Sequence, residues 1–394
     1  MKVFDRVRPP RVGPFRDDAF TSPARTERTA AILGIALGVS FFTCFATGIY
    51  SHLAQHPPSW FHLSARPAGL YRVTQGLHIA TGLASIPLLL AKLWTVFPKL
   101  FAWPPFHGIA SALERLSLLP LVGGAVFQLF TGVANINLWY PWPFNFPIAH
   151  YWVAWITMGA LVVHIGAKLS VTRTALRRER TEYSEVAPSG ADTPAGLSRR
   201  QLLATAFGAS GLVTLATIGQ TYSPLRKLAL LAPRRPDTGP QGFPVNRTAR
   251  AAGVTTTAQA TDYTLEIRGH GIAQPVTLDL TQLRAMPQHR ATLPIACVEG
   301  WSASREWEGI RVRDLLIHAR VDGARPVRIE SLQQHRSYRT SFVDVDQVGD
   351  PDTLLALKVN GETLALDHGY PLRLIAPNRP GVMQTKWVAR VVVL

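Results

Sequence analysis

The chain has 394 residues, 47% of them hydrophobic and only 17% charged, with a formal net charge of +16. That length allows two or three domains, and the composition excludes one uniformly soluble body. Lys and Arg outnumber acids 18 to 15 from Pro240 onward but 23 to 10 before it, so the basic excess belongs to the apolar half, where it reads as membrane orientation and not nucleic-acid binding.

Residues 1–28 are rich in Pro and Arg, lack periodicity and lack the apolar core of a cleavable signal peptide, so they read as a mobile tail. Apolar runs follow at 29–50, 70–95, 113–136 and 151–169, each near the ~20 residues that a bilayer-crossing helix needs. They predict a four-helix membrane domain over 29–170. A basic loop spans 171–201, and 202–219 is a fifth helix that stays as an anchor.

Loop charges set the expected orientation. Lys92, Lys99 and Arg115 lie in one connection, and Lys168, Arg173, Arg177, Arg178, Arg180, Arg199 and Arg200 in another, whereas 137–149 carries no charge. The basic side is cytoplasmic. The N-terminus is therefore expected inside, the run Trp139-Tyr-Pro-Trp-Pro-Phe144 at the outer interface, and everything after the fifth crossing outside. Leu197-Ser-Arg-Arg-Gln-Leu-Leu203 ahead of an apolar run resembles a twin-arginine export signal.

Ionisable residues inside membrane spans are costly and mark functional sites by default. His78 lies in the second run, and His150 and His164 on the fourth. The last two are fourteen residues apart, about 21 Å along a helix and four turns, so they share one face at two depths. This pattern resembles the four-helix cytochrome b membrane proteins, in which histidines from different helices hold haem b. The resemblance implies a haem between His78 and His150 in the outer leaflet, with His164 at an inner level. There the second helix carries Lys92 in place of a further histidine, and His107 is the alternative partner. His52, His56 and His62 read as solvated loop residues.

Residues 220–260, with Pro233, Pro236, Gly239 and Pro240, read as a linker. Over 261–394, strand-like runs at 263–269, 275–280, 291–296, 327–331, 354–359, 372–376 and 387–393, with helical turns at 280–284 and 313–319, predict a mixed α+β domain. Asn360-Gly361 is a hairpin signal.

Cys297 closes the 291–296 run and precedes a Gly-containing turn, which presents a thiol at a strand end. The other cysteine, Cys44, lies in a membrane run, so Cys297 reads as a free thiol. The sequence Ile295-Ala-Cys-Val-Glu-Gly-Trp301, with Trp307-Glu-Gly-Ile310 and Arg313-Asp-Leu-Leu316, resembles the molybdopterin domain of the sulfite oxidase family, above all its bacterial methionine sulfoxide reductase branch. A second block, Asp367-His-Gly-Tyr-Pro-Leu-Arg-Leu-Ile-Ala-Pro377 followed by Lys386-Trp387-Val388, matches the C-terminal pattern of that family.

The resemblance implies that Cys297 gives a thiolate to molybdenum, that Tyr338 lies near the reacting oxygen, and that basic and polar residues grip the cofactor phosphate. His335, Arg336, Arg373, Asn378, Arg379 and Lys386 are the candidates for that grip. A domain that folds around its cofactor before export suits the twin-arginine route. The chain closes at Leu394 directly after the matched block, which points to the smaller reductase branch and not to sulfite oxidases proper.

The expectation is a membrane-bound oxygen-atom transferase acting outside the cytoplasmic membrane on a sulfoxide or sulfite-like substrate, with electrons passing between a quinone pool and molybdopterin through haem b. Two alternatives stay open. One is a haem-free anchor served by a soluble electron partner, and the other is a non-catalytic interaction module.

Overall fold

Five helices long and apolar enough to cross a membrane open the chain: α1 (Glu27–Gln55), α2 (Leu70–Val96), α3 (Ile109–Ile136), α4 (Phe146–Glu182) and α5 (Arg199–Ile218). Outward-facing Val39, Phe42, Leu90, Leu119, Trp152, Ile156 and Leu212 stay exposed, as lipid-facing residues do where no water drives them inward. The computed structural model describes residues 13–16, 19–102, 109–182, 196–334 and 338–394. Two compact units make up the chain: Met1–Ala46 with His78–Ala216, and Thr47–Leu77 with Thr217–Leu394.

In the first unit Leu33 and Leu37 of α1 meet Leu88 and Leu89 of α2, Ala125 of α3 and Ala206 of α5. Helices α3 and α4 approach so closely that a Cβ on Gly124 would collide with the Thr157 hydroxyl, so only glycine fits there. Small residues permit such contact between membrane helices. The five expected helices are all present, and α4 runs past the predicted span end to Glu182.

The second unit begins with two short helices, α6 (Ala249–Ala252) and α7 (Thr255–Ala258), then β1 (Thr264–Gly269), β2 (Val276–Asp279), α8 (Leu280–Ala285), β3 (His289–Ala296) and β4 (Ser302–Arg311). It continues with α9 (Val312–His318), β5 (Val327–Ser331), β6 (Thr340–Val343), α10 (Val345–Gly349), β7 (Leu354–Val359), β8 (Glu362–Thr363), β9 (Arg373–Ile375) and β10 (Val388–Val393). One sheet has the order β2-β1-β10-β5-β6, with β1 and β10 parallel; the other has the order β3-β4-β7-β8, with β9 also on β7.

Asn360 and Gly361 both take positive φ between β7 and β8, the hairpin turn their sequence predicts. β4 escapes the sequence reading because its first half is polar and a bulge at Glu308/Gly309 breaks its alternation. The mixed α+β expectation holds.

Residues from the segment read as a linker are part of this core. Phe243 is fully buried, stacks on His368 with ring centres 3.7 Å apart and meets Trp307 edge-on at 5.7 Å. Ala249, Val254 and Ala258 pack on Trp387.

The connection between α1 and α2 belongs to the same unit. Arg66 forms a fork on Asp350 (2.8 and 3.0 Å) and reaches Asp352 at 2.6 Å, and these carboxylates push its guanidinium further into the charged range. His62, read from sequence as solvated, meets Asp344 at 2.8 Å.

Candidate functional site

Strand β3 delivers Cys297 to a tight loop. The Cys297 N–H donates to the Trp301 carbonyl at 2.9 Å and Gly300 N–H returns to the Cys297 carbonyl at 3.0 Å. Gly300 has φ 93°, a conformation that glycine tolerates best. The thiol is buried against an apolar cluster that includes Phe243, Trp301, Trp307 and Ile375, and that burial pushes its ionisation upward. A thiol in such a setting is inert unless a metal or a cation stabilises the thiolate.

Three cations favour the Cys297 thiolate against the opposing Glu299 carboxylate: Arg234, which faces Glu299, and a more deeply buried pair, Arg373 on β9 and Lys386. Arg373 is 3% exposed and gives Nη1 to the His368 carbonyl at 3.0 Å, while its Nε is buried without a hydrogen-bond partner among the described residues. The guanidinium lies 5.4 Å from the Trp307 ring centre. Lys386 spends its ammonium protons on Asn246 Oδ1 (3.0 Å) and the carbonyls of Arg247 (2.6 Å) and Asp367 (2.9 Å).

Burial pushes Arg373 down to about 9 and Lys386 well below its ordinary range, each worsened or offset by the other charges of the cluster. Gly369 lets the two pack together: at φ 112°, a Cβ there would stand 3.1 Å from Lys386 and 3.2 Å from Arg373 side-chain carbons.

Buried cations beside a thiol, with an orphaned guanidinium N–H, are costly unless an anion completes the site. Neither Arg373 nor Lys386 forms an ion pair with a carboxylate among the described residues. The donor set therefore fits a group that brings negative charge and a soft metal.

Asn378 and Arg379 are equally buried but spend their side chains within the protein. Asn378 Oδ1 accepts from the Tyr71 N–H at 2.8 Å, and its Nδ2 donates to the Ser64 carbonyl at 2.8 Å and to the Tyr50 hydroxyl at 3.2 Å. Arg379 donates to the carbonyls of Met383 and Phe342 and to Gln347 Oε1. Asn378→Ala is expected to strand the buried Tyr71 N–H, at about 1–3 kcal/mol. The thermal midpoint of the detergent-solubilised protein should fall by several degrees; an unchanged midpoint would remove the stabilising role.

Tyr338 is half-buried, with its hydroxyl donating to Gln55 Oε1 at 3.1 Å. His335 and Arg336 lie outside the described residues. On the other flank, Thr221 donates its hydroxyl to the Gly300 carbonyl and the Gln220 carbonyl accepts from Ser302 N–H, so residues just after α5 brace the Cys297 loop. Beside the loop, Glu299 accepts from Trp301 Nε1 at 3.1 Å and faces Arg234 at 3.8 Å. Ala296, adjoining Cys297, packs against Ala54, Leu63 and Tyr71.

The sequence reading missed Gln55, Tyr71, Gln220 and Thr221. No local signal marks them, because each sits in or beside a membrane-type helix where its residue type is unremarked.

In the first unit His78 and His150 face one another, with ring centres 6.2 Å apart. His78 Nδ1 meets the Cys44 carbonyl at 2.9 Å, and His150 Nδ1 meets the Thr131 hydroxyl at 2.8 Å. His164, further along α4, has a buried Nδ1 without a hydrogen-bond partner. Lys92 donates instead to the Ala30 carbonyl, and His107 lies outside the described residues.

Fold and site together define a mixed α+β unit, built around a buried cysteine, in a chain that also carries five membrane-length helices. Residues 252–394 match the family described as the oxidoreductase molybdopterin binding domain, so the chain carries a molybdopterin-binding domain homologous to known molybdenum enzymes. It is 33% identical over 158 residues to the mitochondrial sulfite oxidase of Drosophila melanogaster, covering 34% of this chain and 27% of that one. It is also 33% identical over 144 residues to the catalytic subunit MsrP of the protein-methionine-sulfoxide reductase of Gluconobacter oxydans, covering 33% and 46%. A candidate protein-methionine-sulfoxide reductase subunit of Azospira oryzae, YedZ1, is 30% identical over 130 residues, covering 33% and 48%. The chain thus spans between about a quarter and a half of the length of these curated relatives.

Proposed function

We propose that this protein is a membrane-bound oxygen-atom transferase in which Cys297 is the protein thiolate of a molybdopterin-held molybdenum. The observation that carries this reading is the buried Cys297 beside the uncompensated Arg373, whose Nε has no partner, and beside Lys386. When bound, the metal group supplies two-electron exchange of one oxygen atom with substrate. Soft thiolate ligation suits such a metal. Arg373 would hold an anionic part of the cofactor, Lys386, whose protons go to Asn246, Arg247 and Asp367, would add positive charge that stabilises the thiolate, Asn378 and Arg379 hold the walls around them, and Tyr338 offers its hydroxyl to the substrate oxygen.

The substrate class is a sulfoxide or sulfite-like molecule. A sulfoxide takes up two electrons and two protons and leaves as the thioether, its oxygen departing as water. For sulfite the flow reverses: water supplies the oxygen, sulfate forms, and two electrons and two protons are released.

The second part of the proposal is haem b between His78 and His150. His78 and His150, whose ring centres stand 6.2 Å apart, would hold the haem between them, and the haem would supply one-electron transfer. Both Nδ1 atoms are engaged by oxygen, the anchoring that leads a histidine to ligate through Nε2. Among the described residues no three His, Cys, Asp or Glu side chains form a metal cage, and neither centre proposed here needs one. Quinone is the proposed membrane partner.

Elemental analysis for Mo and Fe, an optical spectrum, and turnover with sulfite and a panel of sulfoxides test the reading. Protein lacking Mo overturns it, and Mo without haem bands transfers the electron-partner role to a soluble protein.

We further propose that the catalytic unit lies outside the cytoplasmic membrane, delivered by the Arg199-Arg200 signal, since the basic loops mark the opposite side. A reporter fused after Leu394 is expected to be active only outside. Replacing Arg199 and Arg200 by Lys should reduce delivery; undiminished delivery would leave the pair as plain topogenic charges.

A further inference from the structure

The last residue of α1, Gln55, belongs to the same unit as Tyr338, and its amide has one orientation. Its Nε2 donates to both the carbonyl and the hydroxyl of Ser51, each at 3.1 Å. With the amide nitrogen so committed, Oε1 faces Tyr338 and accepts its hydroxyl proton at 3.1 Å. Ser51 gives its own hydroxyl proton to Gln75 Oε1 at 3.2 Å, so the Tyr71 hydroxyl, 2.9 Å away, is the donor to Ser51. The Tyr71 ring packs on Ala296, next to Cys297. A continuous set of contacts thus runs from Tyr338 through Gln55, Ser51 and Tyr71 to the strand end that carries the thiol.

Tyr338 is also the residue whose backbone sits at φ 64°, uncommon for a bulky side chain. Such a conformation persists only where the surroundings over-determine it. Here the Gln55 hydrogen bond and a stacked His56 ring, 6.4 Å away, do so.

We propose that Gln55 is a positioning residue for Tyr338: the end of the first membrane helix fixes the place and proton direction of the phenol that receives the oxygen of a sulfur-oxygen substrate. The substrate oxygen takes over from Gln55 Oε1 as the acceptor of that proton. This inference rests on the oxygen-transfer reading above. It makes the end of α1 part of the catalytic site and not merely its tether.

The test uses full-length protein in detergent. In cofactor-free protein carrying 3-fluorotyrosine at position 338, Gln55→Leu is expected to shift the fluorine resonance. In loaded protein, Gln55→Leu should lower kcat/KM about tenfold, the worth of one hydrogen bond, and have no further effect once Tyr338→Phe is present. Ser51→Ala, which removes the hydroxyl acceptor of the Gln55 amide and keeps the carbonyl one, should act in the same direction with a smaller effect and show the same dependence on Tyr338; it serves if Gln55→Leu fails to fold.

An unmoved fluorine resonance, or equal costs with and without Tyr338→Phe, overturns the proposal. Parent protein without Mo or turnover overturns the oxygen-transfer reading instead, and the fluorine measurement still decides whether Gln55 holds Tyr338.

Discussion

Cys297→Ser is expected to abolish oxygen-transfer turnover while the protein still inserts and folds. Serine is nearly isosteric, and placing a hydroxyl in the cluster around Phe243, Trp301 and Trp307 should cost about 1–3 kcal/mol of stability. A hydroxyl does not reproduce the soft metal–sulfur bond. Loss of a direct ligand should exceed the roughly 10–100-fold cost of losing an outer-shell partner, so turnover should fall at least a hundredfold. The spectroscopic signature of a molybdenum–protein sulfur bond should vanish with it. Arg373 and Lys386 remain in the variant, so pterin content should drop less than activity. Full activity in protein verified by mass to carry the serine would refute the role of Cys297 and, with it, the centre of the functional reading.

His78→Ala and His150→Ala are each expected to remove the haem b spectrum completely while Mo content stays at the parent level. In the proposal both imidazoles would hold the haem, and the paired histidines lie in the first unit whereas Cys297 lies in the second. Quinol-driven turnover should disappear in both variants, and turnover with an artificial reductant that reaches the molybdenum site should persist. His164→Ala serves as the comparison. If it alone erased the spectrum while both other variants retained theirs, the haem would belong at the deeper level of α4.

Thr131→Val, which removes the hydroxyl that meets His150 Nδ1, should leave the haem bound with an altered spectrum or potential.

The membrane half was legible because hydrocarbon imposes a length and a composition on any helix that crosses it. All five predicted spans appear as helices, and the few histidines within them stand out against that background. Strand periodicity exposed most of the second unit, and the turn chemistry of Asn360-Gly361 identified its hairpin. Cys297 was legible as a free thiol at a strand end, flanked by two motif blocks more than fifty residues apart in sequence.

Pairing across distance was not legible. Arg373 lies within the matched block Asp367–Pro377 and Arg379 just beyond it, but nothing local tells which of the two spends its arms on protein oxygens. Tertiary packing leaves Arg373 beside the thiol with an unpartnered Nε and uses every arm of Arg379 on neighbouring oxygens. Asn378 reads from sequence as a cofactor contact, yet its amide closes on the backbone of the α1–α2 connection, some three hundred residues earlier.

Sequence by itself determined that this protein joins membrane-length helices to a mixed α+β domain, because burial period and residue type are local properties. Only the tertiary structure decided that Thr47–Leu77 is part of the catalytic unit and that His78 faces His150. Hydrogen bonds and ion pairs between distant segments depend on where side chains meet in space, and a single chain's residue order does not encode that meeting in any local pattern.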